Sequence, residues 1–144
     1  MDEEQEKFIK SYKLEGQDFQ SGGEASAQIK QILKSLGVPS KIIRKATVIS
    51  YEAEMNVIIH SYSGEIILDV DQYRVVIRTE DTGPGIQDID KAMEEGYTTV
   101  STEILEMGFG AGMGLPNIKK FSDNLKINSQ VGEGTVLEAT VYIN

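Results

Sequence analysis

The sequence predicts an α+β protein, a two-layer sandwich in which helices cover one face of a mixed, mostly antiparallel sheet. Strand-like segments cluster instead of alternating regularly with helices, and two amphipathic helices separate the first strand from the others. The chain has 144 residues, enough for one domain with a substantial core. We therefore predict a single domain over residues 8–144, preceded by a flexible, charged leader over residues 1–7.

The first two predicted elements are a strand and a helix. Phe8 to Leu14 alternates loosely between apolar and polar residues, which is typical of a half-buried strand. The stretch from Ser21 to Gly37 predicts an amphipathic helix, with Gly37 at its C-terminal cap. The apolar residues at helical spacing are Ala25, Ile29, Ile32, Leu33 and Leu36.

A longer helix is predicted from about Lys41 to Ser61, with Ser40 as its N-cap. Its β-branched residues would also suit strands, but the apolar positions step by three and four, which favours a helix. These positions are Ile42, Ile43, Ala46, Ile49, Ala53, Val57 and Ile58.

Two hairpins are predicted in the remainder. Glu65 to Val70 and Tyr73 to Arg78 form the middle of the sheet, with a turn at Asp71 and Gln72. Leu125 to Gln130 and Thr135 to Ile143 form a closing hairpin around Gly132, Glu133 and Gly134.

Between the hairpins lies a glycine-rich, polar stretch from Glu80 to Met113, followed by a helix from Leu115 to Phe121. A short helix is expected near Asp88 to Glu95. A loop of this length inside a compact domain is usually functional or disordered.

Composition excludes several classes of site. The net charge of −9 makes nucleic acid and anionic membrane surfaces poor partners. The absence of cysteine excludes disulfides and thiolate chemistry, and a single histidine, His60, makes a histidine-based zinc site improbable. With no membrane-spanning run and no signal-peptide pattern, we expect a soluble, cytoplasmic protein.

Two strings of residues are candidates for ligand binding. Asp81, Gly83, Gly85 and Ile86 follow a strand and would place one carboxylate beside backbone that a flat ligand can approach closely. The plainer interpretation is a glycine turn with a surface aspartate. In the hairpin turn, Thr135 is a weaker candidate that would direct its hydroxyl to the site.

The second string precedes the helix at Leu115, and alternating glycines there would let backbone N–H groups cradle a phosphate. The string lacks the GKS or GKT ending of a Walker loop. It also lacks the preceding strand that a dinucleotide-binding fingerprint requires. The alternative interpretation is a flexible linker. Its candidate residues are Gly108, Gly110, Ala111, Gly112, Met113, Gly114 and Leu115.

Glu52, Asn56 and His60 are spaced four residues apart on the long helix and so share one face. A carboxylate and an amide oxygen one turn apart suit a general base and a magnesium ligand. Taken alone, these three residues also fit a solvated helix face.

Together and in this order, the pieces resemble the nucleotide-binding domain of the GHKL superfamily of gyrase, chaperone, histidine-kinase and mismatch-repair ATPases. The resemblance implies the histidine-kinase-like ATPase fold, with ATP or ADP and Mg²⁺ as cofactors. It implies that Glu52 is the catalytic base, that Asn56 holds magnesium and that Asp81 binds the adenine amino group. The second glycine string would receive the phosphates, and Thr135 would lie near the base.

The resemblance is strongest to the anti-sigma-factor and serine-protein-kinase branch. It implies phosphorylation of a partner protein on serine, sequestration of a sigma factor, or both, with a sigma factor or a STAS-type anti-anti-sigma protein as partner. It also suggests a homodimer. The sequence departs from the family in one respect, because residues 87–108 contain no arginine to contact the terminal phosphate. Lys119 and Lys120 are alternative sources of positive charge.

Two alternatives follow. A non-catalytic module of the same fold would bind nucleotide and change its affinity for a partner without transferring phosphate. A purely structural interaction domain would bind no ligand at all.

Overall fold

The computed structural model describes residues 7–96 and 113–143. Five strands and four helices occur in these ranges, together with a 3₁₀ turn, Phe19–Ser21. The strands are β1 (Phe8–Glu15), β2 (Ser63–Val70), β3 (Arg74–Thr82), β4 (Asn124–Gln130) and β5 (Gly134–Tyr142). The helices are α1 (Glu24–Ser35), α2 (Ser40–His60), α3 (Ile89–Ala92) and α4 (Gly114–Phe121).

The strands form one sheet in the order β1-β2-β3-β5-β4. Each neighbouring pair is antiparallel, so the sheet is more uniform than the mixed, mostly antiparallel one that the sequence predicts. The central strand β3 pairs Asp81 with Gly64 on one side and ends its pairing with β5 at Glu80 opposite Val136. The predicted α+β sandwich is therefore confirmed, and the end of β3 lies beside the start of β5.

Helices α1, α2 and α4 pack on one face of this sheet, and the core lies between the two layers. Burying each large apolar side chain stabilises the fold by roughly 1.5–3 kcal/mol. The side chains with no solvent exposure include Ile29, Leu33, Ile49, Ile66, Leu68, Ile77, Ile118 and Val141. The apolar positions of α2 that step by three and four are all buried, as their spacing indicates.

Some boundaries differ from the predicted ones. Strand β3 continues to Thr82, so Asp81 belongs to the strand and does not follow it. The short helix is confined to the single turn of α3, with the Asp88 side chain accepting a hydrogen bond from the N–H of Lys91. The prediction that Ser40 caps α2 is wrong, because Ser40 is the first helical residue and Pro39 occupies the cap without a side-chain hydrogen bond.

A buried carboxylate joins the first two helices. Glu54 of α2 is 1% exposed and accepts hydrogen bonds from the N–H groups of Gly23, Ala25 and Ser26 at 2.9–3.2 Å. These donors lie at the start of α1, where N–H groups lack partners within the helix. A single side chain therefore caps α1 and fixes it to α2.

None of the described helices is both long enough and apolar enough to cross a membrane.

Candidate functional site

The long helix α2 and the short helix α4 meet at one end of the candidate site. Glu52 and Asn56 lie one turn apart on α2, both half-buried, facing Gly114 at the start of α4. A Cβ at Gly114 would lie 3.3 Å from Asn56 Oδ1 and 3.5 Å from Glu52 Oε1. Glycine thus leaves room for a small group beside both oxygens. We call Glu52, Asn56, Gly114 and Asn117 the helix end of the site.

Asn117, one turn into α4, is a member of the helix end that the sequence analysis missed. Its Nδ2 donates a hydrogen bond to Glu52 Oε2 at 3.0 Å. The two residues are 65 positions apart in the sequence, and no local pattern links them. The only sequence signal for Asn117 was its position as a polar residue near the start of a helix that follows a glycine string.

Three other candidates lie away from these groups. His60, two turns beyond Glu52, is exposed at the last residue of α2. Lys119 and Lys120 are also exposed on α4, and the Lys120 ammonium lies 5.5 Å from the centroid of the Phe121 ring. The exposure of these three residues is consistent with the solvated-face interpretation.

Asp81, near the end of β3, marks the other end of the site. Its Oδ1 accepts a hydrogen bond from the backbone N–H of Thr135 at 3.1 Å, and its carboxylate is also bonded by the hydroxyl of Ser61. Desolvation raises the pKa of Asp81, although both hydrogen bonds oppose this rise. The Thr135 hydroxyl has a different neighbour, Ser129, at 2.8 Å between the two oxygens.

The loop that follows Asp81 is hydrogen-bonded along its length to the β4–β5 hairpin. The N–H of Gly83 donates to Glu133 O at 3.1 Å, and that of Gly132 donates to Pro84 O at 2.8 Å. The N–H of Ile86 donates to the Ser129 hydroxyl oxygen at 2.7 Å. With the bond from Thr135, four contacts join two strings that are some 50 residues apart in the sequence. We call Asp81, the loop from Gly83 to Ile86 and the hairpin residues bonded to them the strand end.

Gly85 makes a close approach in the strand end that requires glycine. Its φ is +76°, and a Cβ there would lie 2.5 Å from the carbonyl oxygen of Gln130. Side chains rarely adopt this φ, and the backbone oxygen leaves no space for one. The loop therefore packs directly on β4.

The second glycine string is described only from Met113 onward. Met113 is exposed and precedes α4, Gly114 begins the helix, and Leu115 is buried in the core. The remaining candidates of this string, Gly108, Gly110, Ala111 and Gly112, lie outside the described residues.

An open cavity of about 520 Å³ borders the strand end, lined by Ile86 to Asp90 and by Ser129 to Val131. Neither Asp81 nor Glu52 lines it. It is therefore a feature of the loop surface, distinct from the space between α2 and α4.

The chemistry of the helix end suits a hard cation that is shared with a ligand. Within residues 7–96 and 113–143, no three acidic, histidine or cysteine side chains form a cluster able to hold a metal alone. Magnesium usually takes one or two protein oxygens and completes its shell with water and phosphates. Asn56 Oδ1 fits this requirement.

Comparison with known proteins agrees with this geometry. Residues 20–141 match the model of the histidine kinase-like ATPase domain family. The chain is similar to the serine/threonine-protein kinase RsbT of Bacillus subtilis, with 31% identity over 118 residues, covering 79% of this chain and 83% of that protein.

The chain is also similar to anti-sigma F factors. Identity is 37% with that of Thermoanaerobacter sp., where the match covers 64% of each protein. It is 38% with that of Clostridium acetobutylicum, covering 58% of this chain and 59% of the relative. The matches thus span less than two thirds of each of these two relatives. From the extent of the family match, this chain belongs to the histidine kinase-like ATPase domain family, whose members bind nucleotide.

Proposed function

We propose that this protein binds ATP with Mg²⁺ and transfers the terminal phosphate to a serine of a partner protein, as an anti-sigma factor and serine kinase. The observation that carries the proposal is the convergence of Glu52 and Asn56 on the first residue of α4, at 3.5 and 3.3 Å from the Cβ position of Gly114. A base and a magnesium ligand would thereby stand beside the helix start that receives phosphates.

Each end of the site has its own task in this proposal. Asp81 would accept a hydrogen bond from the adenine amino group, and the loop of Gly83, Gly85 and Ile86 would lie against adenine. Asn56 would hold the magnesium ion, which neutralises phosphate charge when bound. Backbone N–H groups from Gly110 to Gly114 would bind the phosphate oxygens.

Transfer would follow the usual course of phosphoryl chemistry. Glu52 accepts the proton of the incoming serine hydroxyl as the serine oxygen bonds to the γ-phosphorus. The bond from that phosphorus to the β,γ-bridging oxygen breaks, and ADP leaves. The products are phosphoserine, ADP and a protonated glutamate that returns its proton to water.

The proposed partners are a sigma factor and a STAS-type antagonist protein. Support comes from the similarity to a serine/threonine-protein kinase and to anti-sigma F factors. The net charge of −9 favours a partner with a basic surface. We also propose that the protein forms a homodimer through the first strand, because β1 is an edge strand and Ile9 on it is 59% exposed. Sedimentation of the wild type and of Ile9→Lys tests this point.

The second candidate function is a nucleotide-gated interaction module without transferase activity. The sequence observation in its favour is the absence of arginine from residues 87–108, where related kinases use one on the terminal phosphate. Such a module would bind ATP and partner with coupled affinities and leave the partner unmodified.

Calorimetric titration of ATP and ADP, each with and without Mg²⁺, tests nucleotide binding first. Incubation with γ-labelled ATP and purified STAS-domain and sigma-factor proteins then tests transfer, with mass analysis of the modified residue. Magnesium-dependent binding with phosphoserine formation supports the kinase. Binding without transfer to any of them supports the module, and the absence of binding contradicts both.

A further inference from the structure

We infer that Asn117 is the positioning residue for Glu52, holding one carboxylate oxygen so that the other faces the incoming hydroxyl. The inference rests on the proposed function, because it assigns a role in phosphoryl transfer. It concerns a residue outside the motifs that the sequence analysis identified.

The contact is a direct side-chain bond between two helices. Asn117 Nδ2 lies 3.0 Å from Glu52 Oε2, and both side chains are half-buried. A hydrogen bond to an ionised acceptor is stronger than a neutral one, and partial burial limits competition from water. The bond therefore restricts rotation of the carboxylate about its last torsion.

The two oxygens of Glu52 have different surroundings. Oε2 accepts the hydrogen bond from Asn117, whereas Oε1 lies 3.5 Å from the Cβ position of Gly114. Since Gly114 carries no side chain, a reacting group can approach Oε1. The geometry thus assigns Oε1 as the proton acceptor and Oε2 as the fixed oxygen.

Both helices anchor the bond in the core. On α4, Ile118 next to Asn117 has no solvent exposure, and Leu115 is 8% exposed. On α2, Ala53 and Glu54 follow Glu52 and are also buried. A base held by groups that are themselves fixed keeps the short distances that proton transfer requires.

The chemistry of the donor also matters. The two lysines of α4 are exposed, and the described donor that reaches Glu52 from this helix is a neutral amide. An amide orients a carboxylate by a hydrogen bond without placing a cation beside the proton acceptor. Orientation is thereby obtained without a competing ion pair.

Kinetics of Asn117→Ala and Asn117→Asp test the inference. Loss of an orienting partner typically costs about 10–100-fold in activity, so we expect kcat to fall by at least about tenfold in Asn117→Ala. Asn117→Asp has nearly the same shape but places a second carboxylate beside Glu52, and its kcat should be lower still. The Kd for ATP should stay within about twofold of wild type in both, because the proposed site gives Asn117 no contact with adenine or phosphate.

Asn128→Ala and Asn128→Asp are the matched controls, since Asn128 is an exposed asparagine on β4. They should leave kcat unchanged. The double variant Asn117→Ala/Glu52→Gln should transfer no more slowly than Glu52→Gln alone, because a residue that acts through Glu52 has no effect once that carboxylate is gone. Additive losses would mean that Asn117 acts by a different route and would overturn the inference.

A measurement without substrate checks the contact itself. The side-chain amide signals of Asn117 in the nucleotide-free protein should shift in Glu52→Gln and not in the exposed-site variant Glu15→Gln. If wild type transfers phosphate while Asn117→Ala keeps a normal kcat, the positioning role is wrong and the proposed function stands. If wild type transfers none, both are wrong.

Discussion

The two ends of the site are built by different kinds of contact. The strand end is held by four hydrogen bonds, each with a backbone N–H donor, that join the end of β3 and the loop after it to the β4–β5 hairpin. The helix end depends on side chains of α2 and on the position of α4, with a single described bond, from Asn117 to Glu52, joining them. The strand end is therefore a rigid surface, whereas the helix end is an arrangement of individual chemical groups.

This difference predicts how each end responds to substitution. Side-chain changes at the helix end should alter catalysis and leave nucleotide affinity and stability nearly intact. Changes at the strand end should alter affinity and stability together, since the same backbone forms the sheet edge and the proposed adenine site.

Glu52→Gln should reduce phosphate transfer by about 100-fold or more, because general bases contribute roughly 10²–10⁴-fold. The Kd for ATP should remain within about twofold, since an amide of the same shape preserves packing. Transfer of labelled phosphate and calorimetry measure the two quantities. Glu15→Gln, at an exposed glutamate of β1, is the control. Unimpaired transfer in Glu52→Gln would show that Glu52 is not the base.

Asp81→Asn should weaken ATP binding by about 10–100-fold, because hydrogen bonds to a charged group contribute roughly 1.5–3 kcal/mol. It should also raise the Tm of the nucleotide-free protein at neutral pH. The pKa of Asp81 is raised in the folded state, so ionisation of this group opposes folding. This destabilisation is absent at pH values below the ordinary pKa of aspartate and complete at pH values above the raised pKa of Asp81 in the folded state.

The difference in Tm between Asp81→Asn and wild type should consequently shrink as the pH falls into the acidic range. Thermal denaturation across pH measures it, and Asp90→Asn, at an exposed carboxylate of α3, is the control. An unchanged ATP affinity would place adenine elsewhere, and a lower Tm would contradict the desolvation argument.

Gly85→Ala should lower the free energy of unfolding by about 2 kcal/mol or more, from the strain of a positive φ and the clash with Gln130. Gly132→Ala separates the two causes, because Gly132 has φ +83° but open space around its Cβ position. It should lose only the strain, about 1 kcal/mol. Urea denaturation compares the variants. Equal losses of unfolding free energy in the two variants would contradict the close packing of Gly85 on β4.

Ser129→Ala should give the smallest effect, about 1 kcal/mol in the free energy of unfolding, by removing the acceptor of the Ile86 N–H. ATP affinity should fall only a few-fold, because three other bonds still hold the loop. Ser35→Ala, at an exposed hydroxyl on α1, is the control. A loss of affinity as large as that of Asp81→Asn would show that the strand end is less rigid than its hydrogen bonds indicate.

The sequence was sufficient for most of the fold because the relevant signals are local. The three-and-four spacing in α2 outweighed its β-branched residues, and the burial of Ile49 and Ile58 confirms that choice. Glu54 was missed although it lies four residues after Ser50 and four before Ile58, all buried on one face. Its position within the apolar stripe was a usable signal for a buried carboxylate.

In the site, too, some features could be predicted from local sequence and others could not. Residue types and their order predicted the family, which the match to residues 20–141 confirms. The roles of Glu52, Asn56 and Asp81 remain predictions, although the structure brings the first two to the start of α4. The partners of Asn117 and Ser129 could not be predicted from local sequence, because each side chain bonds to a residue more than 40 positions away.

The sandwich, its helices and strands, and the family could be predicted from the sequence, since periodicity and short motifs depend on neighbouring residues. Which polar groups meet follows from the tertiary structure. His60 shares the spacing of Glu52 and Asn56 yet lies exposed at the last residue of α2, whereas Asn117 bonds to Glu52 across 65 positions. The physical reason is that a hydrogen bond needs contact within about 3.2 Å, and in this site such contacts are set by how α4 packs on α2 and how the hairpin pairs with β3.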